Sequence, residues 1–165
     1  MNYSLASGRS SAFPRSSNTA NARLFPCARC REKLGVGRRH AADHLERGAE
    51  AVVIEIDTPG GLDVSMREMV KRLLGAEIPV ITWVGPAGAR AASAGTFIVM
   101  AADVAAMAPG TTIGAAHPIM VSGGTVLPVD PIVLDKVTND AAGYLRGLAA
   151  QRGRNAEWAA GVAET

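Results

Sequence analysis

AVVIEIDTPGGLDVSMREMVKRLLGAEIPVITWV, residues 51–84, decides the fold. Its first six residues, Ala51 to Ile56, are apolar but for Glu55 and mostly β-branched, which we read as a strand covered on both faces. The turn DTPGGL follows. Residues 63–74 then switch to helical spacing, with Val64, Met69, Val70, Leu73 and Leu74 apolar and Gly75 as the stop. Pro79 to Val84 reads as a second strand. A strand, a helix and a strand in so short a stretch predict a parallel pair with a right-handed crossover. The expected fold class is therefore α/β, with stacked βαβ units and a mostly parallel sheet.

Outward from this unit the pattern continues. Upstream, RRHAADHLER (38–47) has an amphipathic helical look and is ended by Gly48. Residues 1–37 have no sustained periodicity, and we read them as a disordered or atypical N-terminal segment preceding a domain over 38–165. Downstream, GPAGARA (85–91) reads as a glycine-rich loop, and a helix opens near Ala92 and runs to about Ala102. Short strands are predicted near 104–108 and 112–115. Residues 116–130 hold Pro, Gly and Ser and read as a mobile loop. A long helix opens at Asp130–Pro131, a cap followed by proline at the first helical position, and continues to about Arg152. A further partial helix starts near Asn155.

Composition narrows the function classes. The 165 residues are 48% hydrophobic, 19% charged and only 4% aromatic, which suits helices packed closely on a sheet. The net charge of +2 is too small to argue for nucleic acid. No Asp or Glu precedes Glu32, whereas Arg9, Arg15, Arg23, Arg29 and Arg31 do. An Arg- and Ser-rich, acid-poor start has the composition of a transit peptide, but no amphipathic helix is evident, and a basic tail is the simpler reading. No run reaches the roughly 18 apolar residues of a membrane span; Ala91 to Pro109 comes nearest and is broken by Asp103. Cys27 and Cys30 form a CxxC and are followed by His40 and His44. Nine residues separate the two pairs, where about twelve are usual in a zinc finger, so no metal is expected.

Three short words carry chemistry. Asp57-Thr58-Pro59-Gly60-Gly61 follows a buried strand. Its glycines allow backbone conformations closed to other residues, and their N–H groups suit an oxyanion hole; taken alone it is an ordinary strand-to-helix turn. Ala91-Ala92-Ser93-Ala94-Gly95-Thr96 sits at a loop-to-helix junction. A serine there lies near free N–H groups and the positive end of the helix dipole, with small neighbours leaving room for a carbonyl; taken alone Ser93 is an N-cap. Lys136 lies in the first turns of the long helix. A lysine is a general base only when neutral, which requires burial or nearby positive charge; taken alone it is a solvated lysine with Asp140 one turn on.

Taken in order, the strand ending in DTPGGL, the strand leading to GPAGARAASAGTFI, MAPGTTIGAAHPI and the later lysine resemble the NfeD-type membrane-bound serine peptidases. These belong to the Clp/crotonase superfamily, with signal peptide peptidase A as a more distant relative. The resemblance covers about residues 40–165. It implies a Clp/crotonase fold and Ser–Lys acyl transfer, with Ser93 as nucleophile, Lys136 as base, the amides of Gly61 and Ala94 as oxyanion hole and Gly60 shaping that loop. His117 is given no catalytic role by the family pattern. The resemblance further implies self-association, no cofactor, and apolar polypeptide substrates such as parts of stomatin-like membrane proteins. Family members open with a strand that is not legible in residues 1–37, and they continue past Thr165 into membrane helices. The chain is thus expected to be a partial copy, membrane-associated by family only. Two other readings stand beside this one: a truncated, inactive binding or assembly module of the same fold, and a crotonase-type acyl-CoA enzyme, which would need neither Ser93 nor Lys136.

Overall fold

The computed structural model describes residues 21–25, 50–122 and 125–164, with residues 21–25 and Ser122 described by their backbone alone. The expected helix over 38–47, the CxxC, His40 and His44 lie outside these residues, as does most of 1–37. Strand β1 (Asn21–Phe25) is the exception. It pairs antiparallel with β2 (Ala51–Ile56), in a stretch where the sequence has no strand pattern. NARLF has too few apolar residues to read as a strand alone; the free edge of β2 supplies its partner.

The βαβ unit forms as expected. Helix α1 (Asp63–Leu74) connects β2 to β3 (Val80–Val84), and the two strands are parallel. β5 (Val104–Met107) adds parallel to β3, giving the order β1-β2-β3-β5. β4 (Arg90–Ala92) pairs parallel with β6 (Thr112–Gly114) in a separate small sheet. Between them runs α2 (Ala94–Ala101). In place of a plain loop, residues 116–130 contain the antiparallel pair β7 (Val121–Ser122) and β8 (Thr125–Val126). Two helices follow, α3 (Pro131–Gln151) and α4 (Ala156–Glu164). The Asp130 cap behaves as its sequence suggests: its carboxylate accepts the Ile132 N–H at 2.9 Å.

The core lies between the sheet and the helices. Val52, Ile54, Ile56, Val80 and Val84 of β2 and β3 lie in one buried cluster with Met66, Val70 and Leu73 of α1, and every residue of α2 is buried. Leu145, Leu148, Ala149, Ala159, Ala160 and Ala163 close the layer from α3 and α4. Each fully buried Val, Leu or Ile contributes about 1.5–3 kcal/mol of transfer free energy, so this small-residue core depends on close fit.

Polar links fix the helix ends. The C-terminal carbonyls of α2 lack intrahelical donors. Arg152 donates to the Ala101 carbonyl at 2.9 Å, and Arg154 to the Met100 and Ala102 carbonyls at 3.0 and 2.9 Å. Arg152 also meets Asp103 at 2.5 Å, and Asp103 accepts the Val80 N–H at 2.8 Å. Burial, then the adjacent Arg152, holds the Arg154 pKa below the usual guanidinium range. These links tie the end of α3 to the end of α2 and to the start of β3, setting the direction of the long helix.

Candidate active site

The end of β2 runs directly into Asp57-Thr58-Pro59-Gly60-Gly61. Thr58 forms a parallel bridge to Ala91, so this turn lies beside β4 and the start of α2. The approach is close. A Cβ built on Gly60 would stand 3.0 Å from Ser93 Cβ and 3.4 Å from its Oγ, and one on Gly61 would stand 3.7 Å from Ala94 Cβ. Gly60 also has φ 139°, a conformation that side chains disfavour. Glycine is therefore required here twice over, for the backbone angle and for the space.

Ser93 is the N-cap of α2, with φ 51° and ψ −117°. A non-glycine residue at positive φ costs of order 1–3 kcal/mol and persists only where its surroundings hold it. Here they do. The Ser93 N–H donates to the Gly114 carbonyl at 2.9 Å, and the Ser93 carbonyl accepts the Thr96 N–H at 2.9 Å. Thr96, fully buried, donates from Oγ1 toward the Ala91 and Gly114 carbonyls and accepts the Gly114 N–H at 3.1 Å. The side chain of Ser93 caps nothing; the residue is half-exposed, and its Oγ lies beside the glycine turn. Among the described residues, the N–H groups of Gly61 and Ala94 have no protein acceptor. Ala94 opens α2, where free N–H groups and the helix dipole favour developing negative charge.

Lys136 is brought to the same end of the helical layer by two contacts. The ring of Phe97 on α2 lies 5.8 Å from that of Tyr144 on α3, and further along both helices Arg152 reaches Ala101. The two helices therefore run in the same sense. Ser93 stands one turn before Phe97, about 6 Å, and Lys136 two turns before Tyr144, about 12 Å. One turn after Lys136, Asp140 is paired with Arg67 of α1, which also pairs with Asp63 at 3.0 Å and covers the Tyr144 ring at 4.8 Å. Burial works against the Arg67 charge, but Asp63 and Asp140 outweigh it and raise its pKa. Burial raises the Tyr144 pKa. Lys136 itself is exposed, and among the described residues no hydrogen bond joins it to Ser93. Gly60, Gly61, Ser93 and Ala94 thus come together, while among the described residues no hydrogen bond or ion pair joins Lys136 to them. His117 faces elsewhere: its Nδ1 lies 3.1 Å from the Ala163 carbonyl at the end of α4.

Sequence reasoning missed Thr58, Thr96 and Gly114. Only the first leaves a local trace, a hydroxyl two residues ahead of the paired glycines. The partners of the other two are set by β4–β6 pairing across some twenty residues of chain.

An α/β domain of parallel strands, with a strained serine at a helix N-terminus against a glycine turn, is of the Clp/crotonase type. The chain belongs to the family described as NfeD1b, N-terminal domain, which it matches over residues 37–165. Among curated relatives, it is 46% identical to the membrane-bound protease PH1510 of Pyrococcus horikoshii over 110 residues, 66% of this chain and 24% of that protein. It is 40% identical to the membrane protein NfeD1b of Bacillus subtilis over 78 residues, 47% of this chain and 17% of that one. Among solved structures, the 1510-N membrane-bound stomatin-specific protease superposes in two alanine mutants. The lysine mutant, in complex with a substrate peptide, gives a TM-score of 0.63 at 44% identity, covering 70% of this chain and 52% of that chain. The serine mutant gives 0.62 at 44% identity, covering 70% and 55%. The chain therefore spans about a quarter or less of the curated relatives and about half of the solved chains. Among the described residues, no helix is long and apolar enough to cross a membrane.

Proposed function

We propose that this chain carries the catalytic segment of a serine endopeptidase that cleaves apolar polypeptide segments of stomatin-like membrane proteins, with Ser93 as nucleophile and Lys136 as base. One observation carries the reading: the Gly60–Gly61 turn lies so close to Ser93 that a Cβ added at Gly60 would stand 3.0 Å from Ser93 Cβ. Ser93 Oγ attacks the peptide carbonyl while Lys136 accepts its proton. The N–H groups of Gly61 and Ala94 hold the oxyanion of the tetrahedral intermediate. Lys136 then protonates the leaving amine, and water releases the acyl group from Ser93. A lysine and a serine are the residues replaced in the two solved mutants of the relative, and Lys136 is the only lysine of this sequence after Ser93.

The segments bordering the site in sequence support an apolar substrate. Leu62 and Val64, just past Gly61, and Val126, Leu127, Ile132 and Val133, ahead of Lys136, are all exposed.

The exposure of Lys136 supports a second reading, a binding module of the same fold without turnover. The two separate on Lys136→Ala in the full chain. General-base removal lowers kcat by about 10²–10⁴-fold if the dyad forms on substrate. A folded parent that binds an apolar peptide without cleaving it favours the binding module. An acyl-CoA enzyme has no specific support here.

A further inference from the structure

Thr58 stands two residues ahead of Gly60, and its backbone is held on both sides. Its N–H donates to the Arg90 carbonyl at 2.7 Å, and its carbonyl accepts the Ala92 N–H at 3.1 Å. The direction of its side chain is therefore set by β4. The hydroxyl makes two bonds to a single residue: Oγ1 donates to the Gly60 carbonyl at 3.0 Å and accepts the Gly60 N–H at 3.2 Å. The methyl points the other way, against α2, where a Cβ on Gly95 would lie 2.8 Å from Thr58 Cγ2.

The first of these bonds bears on the chemistry. A trans peptide is planar, so the Gly60 carbonyl and the Gly61 N–H belong to one rigid plate and point in opposite directions. Holding the carbonyl aims the N–H. The second bond occupies the Gly60 N–H, which leaves Gly61 as the free donor of the glycine pair. The restraint matters because glycine turns easily about both its dihedrals. Among the described residues, no other side chain hydrogen-bonds to Gly60 or Gly61.

We propose that Thr58 is a positioning residue for the oxyanion hole. Its hydroxyl fixes the Gly60–Gly61 peptide plane so that the Gly61 N–H faces the carbonyl attacked by Ser93, while its methyl serves packing alone. This rests on the peptidase reading of Ser93 above.

Two substitutions in the full chain separate the two halves of the side chain. Thr58→Val keeps the shape and loses the hydroxyl; Thr58→Ser keeps the hydroxyl and loses the methyl. Thr58→Val is expected to lower kcat by about 10²-fold, the lower range for a lost oxyanion donor, with KM changed less than about twofold. It also weakens a peptide boronate, whose adduct on serine is tetrahedral, by a similar factor. Thr58→Ser keeps kcat within about threefold but melts at a lower temperature, because a buried methyl is gone. The inference is overturned if Thr58→Val keeps full kcat and boronate affinity, or if both variants lose activity in step with their melting temperatures. Ser93→Ala, run alongside, tells the two levels apart. If it is inert while Thr58→Val is fully active, only the role of Thr58 falls; if it cleaves normally, the peptidase reading falls and this inference with it.

Discussion

Replacing Ser93 by alanine is expected to abolish peptide cleavage, with a fall in kcat of about 10⁶-fold, the scale seen when a serine nucleophile is removed from a preformed site. The fold should not change. The Ser93 hydroxyl caps nothing, and the bonds that hold its strained backbone run through the N–H and carbonyl, to Gly114 and from Thr96. Alanine keeps both. Melting temperature and circular dichroism should therefore match the parent while initial rates on an apolar peptide, followed by chromatography, vanish. A loss of activity accompanied by unfolding would mean that Ser93 is structural.

Gly60→Ala is the second large effect, and it acts on geometry. At φ 139° an alanine is strained by its own Cβ, and that Cβ would stand 3.0 Å from Ser93 Cβ. The turn must move, carrying the Gly61 N–H with it. The expected cost is about 10²–10³ in kcat, or roughly 2.7–4 kcal/mol, as for a lost oxyanion donor. Gly88→Ala is the control. Gly88 also has positive φ, at 86°, but a Cβ there meets nothing within 4 Å. It should cost stability and leave kcat intact. If Gly60→Ala behaves like Gly88→Ala in a peptide-cleavage assay, the turn has no part in the chemistry.

Much of this was legible in the sequence because it is encoded locally. The strand Ala51–Ile56, the helix Asp63–Leu74 and the cap at Asp130 follow from β-branched runs, helical spacing and the Asp-Pro pair, and each formed where its pattern predicts. The NfeD-type resemblance rested on words that lie at the ends of these elements, and the fold that it implied is the one observed. What escaped depends on partners far along the chain. β4 is three residues long and exists by pairing with Thr112–Gly114, so Arg90–Ala92 reads as loop. β1 has no strand pattern and forms on the edge of β2. The pair β7–β8 flanks two glycines in sequence, an ordinary hairpin signal, which the surrounding Pro and Ser obscured.

The site divides along the same line. Gly60, Gly61, Ser93 and Ala94 converge because the Thr58–Ala91 bridge sets the two turns side by side, and each turn is a short word legible in the sequence. The place of Lys136 depends on how α3 lies on α2, which is set by Arg152, Arg154 and the Phe97–Tyr144 contact. None of these pairings is readable from the residues around Lys136.

The central claim, that Ser93 is a nucleophile facing an oxyanion hole, is tested most directly by trapping it. The full chain is treated with an apolar peptidyl phosphonate, which reacts with activated serine hydroxyls, and the adduct is located by fragmentation mass spectrometry. The account predicts one phosphonate per chain, on Ser93, and none on the Ser93→Ala variant. A folded chain that takes up no phosphonate, or takes it up equally with Ser93 replaced, would contradict it.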